Sequence, residues 1–179
     1  MKRSLVLIVA VAIIAGGATA SAQQSKLFQD FKPGSDEAIQ VEADKLEVTE
    51  QAEERISVFT GNVSVQRGAT VLKAATITIH SDAGAPESGK EAFNLIKAEG
   101  NVQVSENGQT ATGDTATFNM KTQIATISGN VVLSQGRNVL TGARLVVDLN
   151  SGVARVEQGS GGRIRGVFTP NAARVPESE

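Results

Sequence analysis

The chain has 179 residues, with 17 Lys and Arg against 19 Asp and Glu and a formal net charge of −2. That length suffices for one domain with a sizeable core, and the acid-leaning balance excludes the basic footprint of a nucleic-acid binder. Cysteine, tryptophan and tyrosine are absent, so no disulfide staples the fold and its interior is built mainly from Val, Ile, Leu, Ala and Thr methyls.

The first element is a targeting segment. Lys2 and Arg3 precede an unbroken apolar run from Leu5 to Ala15, and Ala20-Ser21-Ala22 has the small-x-small form of a cleavage site. This predicts a cleaved signal peptide over 1–22 and a mature start at Gln23. The competing reading, an uncleaved anchor, is opposed by Gly16-Gly17, which end the run short of the ~20 apolar residues a spanning helix needs. Leu27 to Phe31 has the composition of a short helical turn. Everything after it reads as strand. Ile39 and Val41 alternate with polar residues, as do Leu46 and Val48, which predicts two strands with a bulge at Ala43–Lys45.

From Ile56 the chain repeats itself. Ile56-Ser-Val-Phe-Thr-Gly-Asn, Leu95-Ile-Lys-Ala-Glu-Gly-Asn, Ile124-Ala-Thr-Ile-Ser-Gly-Asn and Val153-Ala-Arg-Val-Glu-Gln-Gly align without gaps. Between them lies a second series: Ala43-Asp-Lys-Leu-Glu-Val, Ala74-Ala-Thr-Ile-Thr-Ile, Gly113-Asp-Thr-Ala-Thr-Phe and Gly142-Ala-Arg-Leu-Val-Val. A repeat of this period means stacked copies of one supersecondary unit that share a continuous core. The extra residues Ser81 to Ala92 read as a flexible turn insertion. Gly61-Asn62, Gly100-Asn101 and Gly129-Asn130 admit two readings, a bend inside one strand or a two-residue hairpin turn. Both residues tolerate positive φ, and Phe59, Val63 and Val65 keep one parity across the step, which favours the bend. Asn171 to Glu179 reads as a loose tail, leaving a single domain over 23–170.

No constellation carries catalysis. His80, the one histidine, reads as a solvated residue at a strand end. Without cysteine or a second histidine it makes no metal site, and nothing else could supply the base of a triad. Asp44 and Asp114 recur at one repeat position but become Ala75 and Ala143 in the other copies, so they read as turn residues bonding nearby backbone. Catalytic residues, metal and cofactors are therefore expected to be none, and the protein is expected not to be an enzyme. Charge is polarised along the chain. Eight acids lie between Asp36 and Glu54, and five arginines between Arg137 and Arg165. Stacked units also leave unpaired strand edges, which suggests docking of one copy's acidic end on another's basic end.

The Ala-Asp-x-Leu-x-Val segment at 43–48, Phe59-Thr-Gly-Asn-Val63 and the recurring Gly-Asn-Val steps resemble the OstA-like LptA family of periplasmic lipopolysaccharide transport proteins. The resemblance is close over Ile39 to Asp148 and looser over Ser151 to Phe168. The LptC periplasmic domain and the LptD N-terminal domain share the fold of this family, so the motifs are moderately specific. A cleavable signal is unlike the LptC type, and a chain ending at Glu179 is unlike intact LptD. The resemblance implies an all-β fold, a twisted and partly open β-jellyroll of repeated antiparallel strands. It implies a periplasmic bridge for outer-membrane assembly, joined head to tail between an LptC-like inner-membrane partner and an LptD-like outer-membrane partner. Lipopolysaccharide would be bound through its lipid A acyl chains. The groove would then be lined by the inward columns Leu46, Val48, Phe59, Val63, Val65, Ile77, Ile79, Ala98, Val102, Val104, Phe118, Ile127, Val131, Leu133, Leu145 and Val147. A charged replacement such as Val102→Glu is expected to lower lipid crosslinking without abolishing secretion. The docking edges would lie in Gln23–Val41 and after Gly142. The rival class is a structural β-solenoid, a scaffold or adhesin with a filled core and no lipid ligand.

Overall fold

The computed structural model describes residues 37–84, 93–159 and 162–169. The signal peptide, the Leu27–Phe31 turn, most of the Ser81–Ala92 insertion and the tail lie outside the described residues. Within them every regular element is a β-strand: β1 (Ile39–Glu42), β2 (Lys45–Glu50), β3 (Glu54–Arg67), β4 (Thr70–Asp82), β5 (Leu95–Glu106), β6 (Gln109–Asn119), β7 (Ile124–Gln135), β8 (Asn138–Asp148), β9 (Val153–Glu157) and β10 (Arg165–Val167). Their alternation and β-branched content are strand chemistry. Ser81 and Asp82 belong to β4, so the insertion starts two residues later than the sequence suggests.

All pairings are antiparallel and follow chain order from β3 to β8. At one rim the strands join through two-residue turns, Gly68-Ala69, Asn107-Gly108 and Gly136-Arg137. Asn107 and Gly108 both have positive φ (48° and 77°), the requirement of a type I′ turn. β1 and β2 both pair with β3 and form one interrupted edge; β9 and β10 both pair with β8 and form the other. The sheet is not closed.

The Gly-Asn steps are bends, not hairpins. The register shifts between Thr60 and Val63, Glu99 and Val102, and Ser128 and Val131. At each, two residues in positive φ (Gly61 84° and Asn62 45° in the first) oppose a single residue on the neighbouring strand. These are β-bulges, which bend a strand and raise its local twist. They stand level with one another on β3, β5 and β7, and the break at Ala43-Asp44 continues the line. All long strands therefore bend at one height and divide the sheet into two limbs.

The limbs fold face to face. One sheet face carries Val65, Leu72, Ile77, Ala98, Val104, Phe118 and Leu145, all at 0% exposure. A single sheet can hide one whole face only by curling over it, at a gain of roughly 1.5–3 kcal/mol for each large side chain buried. The bulge also sorts parity. On β5, Ile96, Ala98, Val102 and Val104 are buried and stay in step across the bend. On β4, buried Leu72 and Ala74 give way to buried Ile77 and Ile79, out of step by one. The extra residue on odd strands is what reconciles the two patterns.

Candidate functional site

The concave face is a set of apolar rows that cross every strand. One row runs through successive Cα partners Leu46, Phe59, Ile77, Ala98, Ala116, Ile127, Leu145 and Val156. Beside it lies Val48, Ser57, Ile79, Ile96, Phe118, Ala125, Val147 and Ala154. On the opposite limb Val41, Val65, Leu72, Val104, Ala111, Leu133 and Leu140 form a third. Eight strand positions at ~4.8 Å spacing make a slot about 35 Å long.

Exposure changes along it. Leu46 is 52% and Val48 53% exposed, Phe59 is half-buried, and Ile77, Ala98 and Leu145 are sealed. Ala154 and Val156 at the far edge are again half-buried. The slot is thus exposed at the β2 edge, half-buried at the β9 edge and sealed between them. Of the sixteen groove positions read from the sequence, twelve are fully buried on this face: Val63, Val65, Ile77, Ile79, Ala98, Val102, Val104, Phe118, Ile127, Val131, Leu145 and Val147. Phe59 and Leu133 are half-buried, and Leu46 and Val48 stand at the open end.

Sequence reading missed Leu72, Ala74, Ile96, Ala111, Ala116 and Ala125, which are buried on the same face. It also missed why Ala43, Ala74, Gly113 and Gly142 share one column. They mark the inner side of the bend. A Cβ on Gly113 would meet the Ile127 side chain and the Ser128 carbonyl oxygen, the latter at 3.1 Å. Two further omissions are polar. Parity carries Val65 on to Arg67 and Val104 on to Glu106, and both are buried (7% and 4% exposed). The Thr70 hydroxyl beside them donates to Glu106 Oε2 at 2.9 Å. This polar row borders the apolar slot at the rim of two-residue turns.

Two expectations need correction. His80 is not a solvated strand end: it lies within β4, its side chain is 17% exposed, and Nδ1 sits 2.8 Å from Glu54 Oε1. Asp114 lies within β6 and is no turn residue, while Asp44 does sit at the bend between β1 and β2 but turns its carboxylate to a side chain. They sit on the outer side of the bend and accept hydrogen bonds from Asn62 Nδ2 at 3.1 Å and Asn130 Nδ2 at 3.0 Å. The Asn side chain is held in its left-handed backbone conformation by the neighbouring strand. Among the described residues no group of three or more His, Cys, Asp or Glu converges to hold a metal.

The model of the LptA/(LptD N-terminal domain) LPS transport protein family matches residues 40–153. An uncharacterized protein of Rhizobium meliloti (strain 1021) is 34% identical over 166 residues, spanning 91% of this chain and 87% of its own. The crystal structure of LptH, the LptA homologous periplasmic component of the lipopolysaccharide transport device of Pseudomonas aeruginosa, superposes with a TM-score of 0.61 at 19% identity. That likeness covers 79% of this chain and 99% of LptH.

Proposed function

The chain belongs to the LptA/LptD N-terminal domain family of lipopolysaccharide transport proteins, and from that premise we propose that it is a periplasmic bridge protein that carries lipid A acyl chains through the slot. The observation that carries this reading is the run of apolar rows from one sheet edge to the other, exposed at the β2 edge and half-buried at the β9 edge. Each methylene moved from water into such a slot gains about 0.8 kcal/mol, so a multiply acylated lipid crosses water only when shielded. A wall of aliphatic side chains shields without directional bonds, which lets the cargo move on. The sugars and phosphates stay outside, at the open side of the folded sheet. In the same reading, the β1/β2 and β9/β10 edges take a second copy, an LptC-like partner or an LptD-like partner by strand addition.

The test is protein released gently from cells and examined by mass spectrometry for co-purified lipopolysaccharide. A photo-crosslinking residue at inward Val102 is expected to give lipid adducts, and one at outward Gln103 is not. Equal yields at the two positions would count against the slot. The second reading, a β-solenoid scaffold with a filled core, has one observation in its favour: the central slot residues have no exposed surface. It predicts clean protein and no adduct at either position.

A further inference from the structure

A sealed centre between two less enclosed edges has to part before an acyl chain can pass, and the residue sizes mark where. Four buried alanines, Ala98, Ala111, Ala116 and Ala125, lie on β5, β6 and β7. Aromatic rings elsewhere in the described strands are less enclosed; Phe118 on β6 is the largest of the fully buried side chains. Its direct partners across the sheet are Ile96 and Ala125. Ala116 is two residues along the same strand, and Ala98, the partner of Ala116, is the diagonal neighbour, within reach of a ring at the ~7–8 Å of such pairs. The ring stands near the middle of the slot, four strands from the β2 edge and three from the β9 edge, and fills the space its small neighbours leave.

We propose that Phe118 is the internal gate of the slot: its ring occupies the path of an acyl chain near the midpoint, must swing aside for cargo to pass, and sets the width that cargo meets. This rests on the transport reading above. The alanine methyls have no rotamers and the β-branched Ile96 is stiff at χ1, so around Phe118 the ring is the part free to change its χ1 well. The neighbouring alanines present a smooth wall once it has moved. A gate of this kind keeps the protein dry and folded without cargo and opens only where a chain presses on it.

The probe is dansyl-labelled undecanoic acid, titrated against the wild-type chain, Phe118→Ala, and Ile77→Ala as a control cavity in the same slot. All three are checked for folding by circular dichroism. Phe118→Ala is expected to bind about tenfold tighter, the worth of roughly two more buried methylenes, and Ile77→Ala no tighter than wild type. A folded Phe118→Ala without gain, or an equal gain in Ile77→Ala, overturns the gate while wild-type binding leaves the transport reading standing. Binding by none of the three removes both. Should Phe118→Ala fail to fold, Phe118→Leu serves, with a gain of the same sign. The chain has no tryptophan or tyrosine, so Phe118→Trp gives an isolated reporter. Its emission is expected to shift when unlabelled lauric acid saturates the slot, and an unmoved spectrum at saturation overturns the proposal.

Discussion

The bulge residues set the bend on which burial of the core depends. Gly129 has φ +80°, and a Cβ there would strike the Asp114 carboxylate that holds Asn130. Gly136 also has positive φ (+58°), but its Cβ would meet open space. Left-handed backbone costs a side-chain-bearing residue about 1–2 kcal/mol. Gly136→Ala is expected to lose about that much and Gly129→Ala about twice it, because the clash and the broken Asp114–Asn130 bond add about 1 kcal/mol or more. Urea denaturation of the two variants checks the order. Asp148 offers a separate handle. Its Oδ1 accepts from the backbone N–H groups of Ser151 at 3.0 Å and Asn150 at 2.9 Å. Those bonds, Ser151's first, hold its pKa below the ordinary 3.8. A depressed carboxylate stabilises the fold at pH above its unfolded value, and the contribution fades as pH falls through the folded one. Asp148→Asn is therefore expected to be less stable than wild type at neutral pH. The gap should narrow as the pH drops below 3.8, read from urea midpoints at the two ends of that range.

At the level of the strand, one rule separates what the residues disclose from what they conceal. Odd strands were legible because the bulge keeps their parity: Phe59, Val63 and Val65 read as one face and occupy one face, as do Ala98, Val102 and Val104. Even strands were legible only below the bend. Ile77 and Ile79 alternate cleanly, but Leu72 and Ala74 fall on the opposite parity and look like the outer face. The extra residue that flips them sits on a different strand, so no window on β4 alone contains the cause. Asp44 and Asp114 were misread for the same reason, since their partners Asn62 and Asn130 belong to the next strand. Arg67 and Glu106 followed the parity faithfully, and composition argued against burying them. The flip is open to direct test. Leu72 is buried and its neighbour Val71 is half-buried on the outer side. Leu72→Ala is expected to cost about 2–5 kcal/mol and Val71→Ala less than about 1 kcal/mol. Similar losses at the two positions, measured by thermal or urea unfolding, would mean that the upper half of β4 does not turn its even-numbered residues inward.

On the transport reading, the molecule as a whole is one interval of a longer object. Its sheet stops at two edges without closing: one exposes the slot residues Leu46 and Val48, and the other carries the half-buried slot residues Ala154 and Val156, each beside unpaired backbone. An exposed edge of this length invites strand addition unless something blunts it, and here the charges are opposite. Glu42, Asp44, Glu47 and Glu50 stand exposed along β1 and β2, and Arg144, Arg155 and Arg165 along β8, β9 and β10. Two acidic edges repel, as do two basic ones, so a contact between copies would be heterologous and would add them in one direction. Such a contact would also carry the slot from one copy into the next, covering Leu46 and Val48. Light scattering of the purified chain is expected to show mass rising with protein concentration. The rise should weaken with added salt, because exposed charges are screened over ~8–10 Å at physiological ionic strength. Val48→Lys should suppress it further at little cost in stability, since the side chain is already 53% exposed. Its direct partner on β3 is Ser57, not another apolar residue, so the fold loses little packing when the edge loses its docking surface. A mass that stays monomeric at high concentration and low salt would leave the two edges as ends, and the slot as long as one chain.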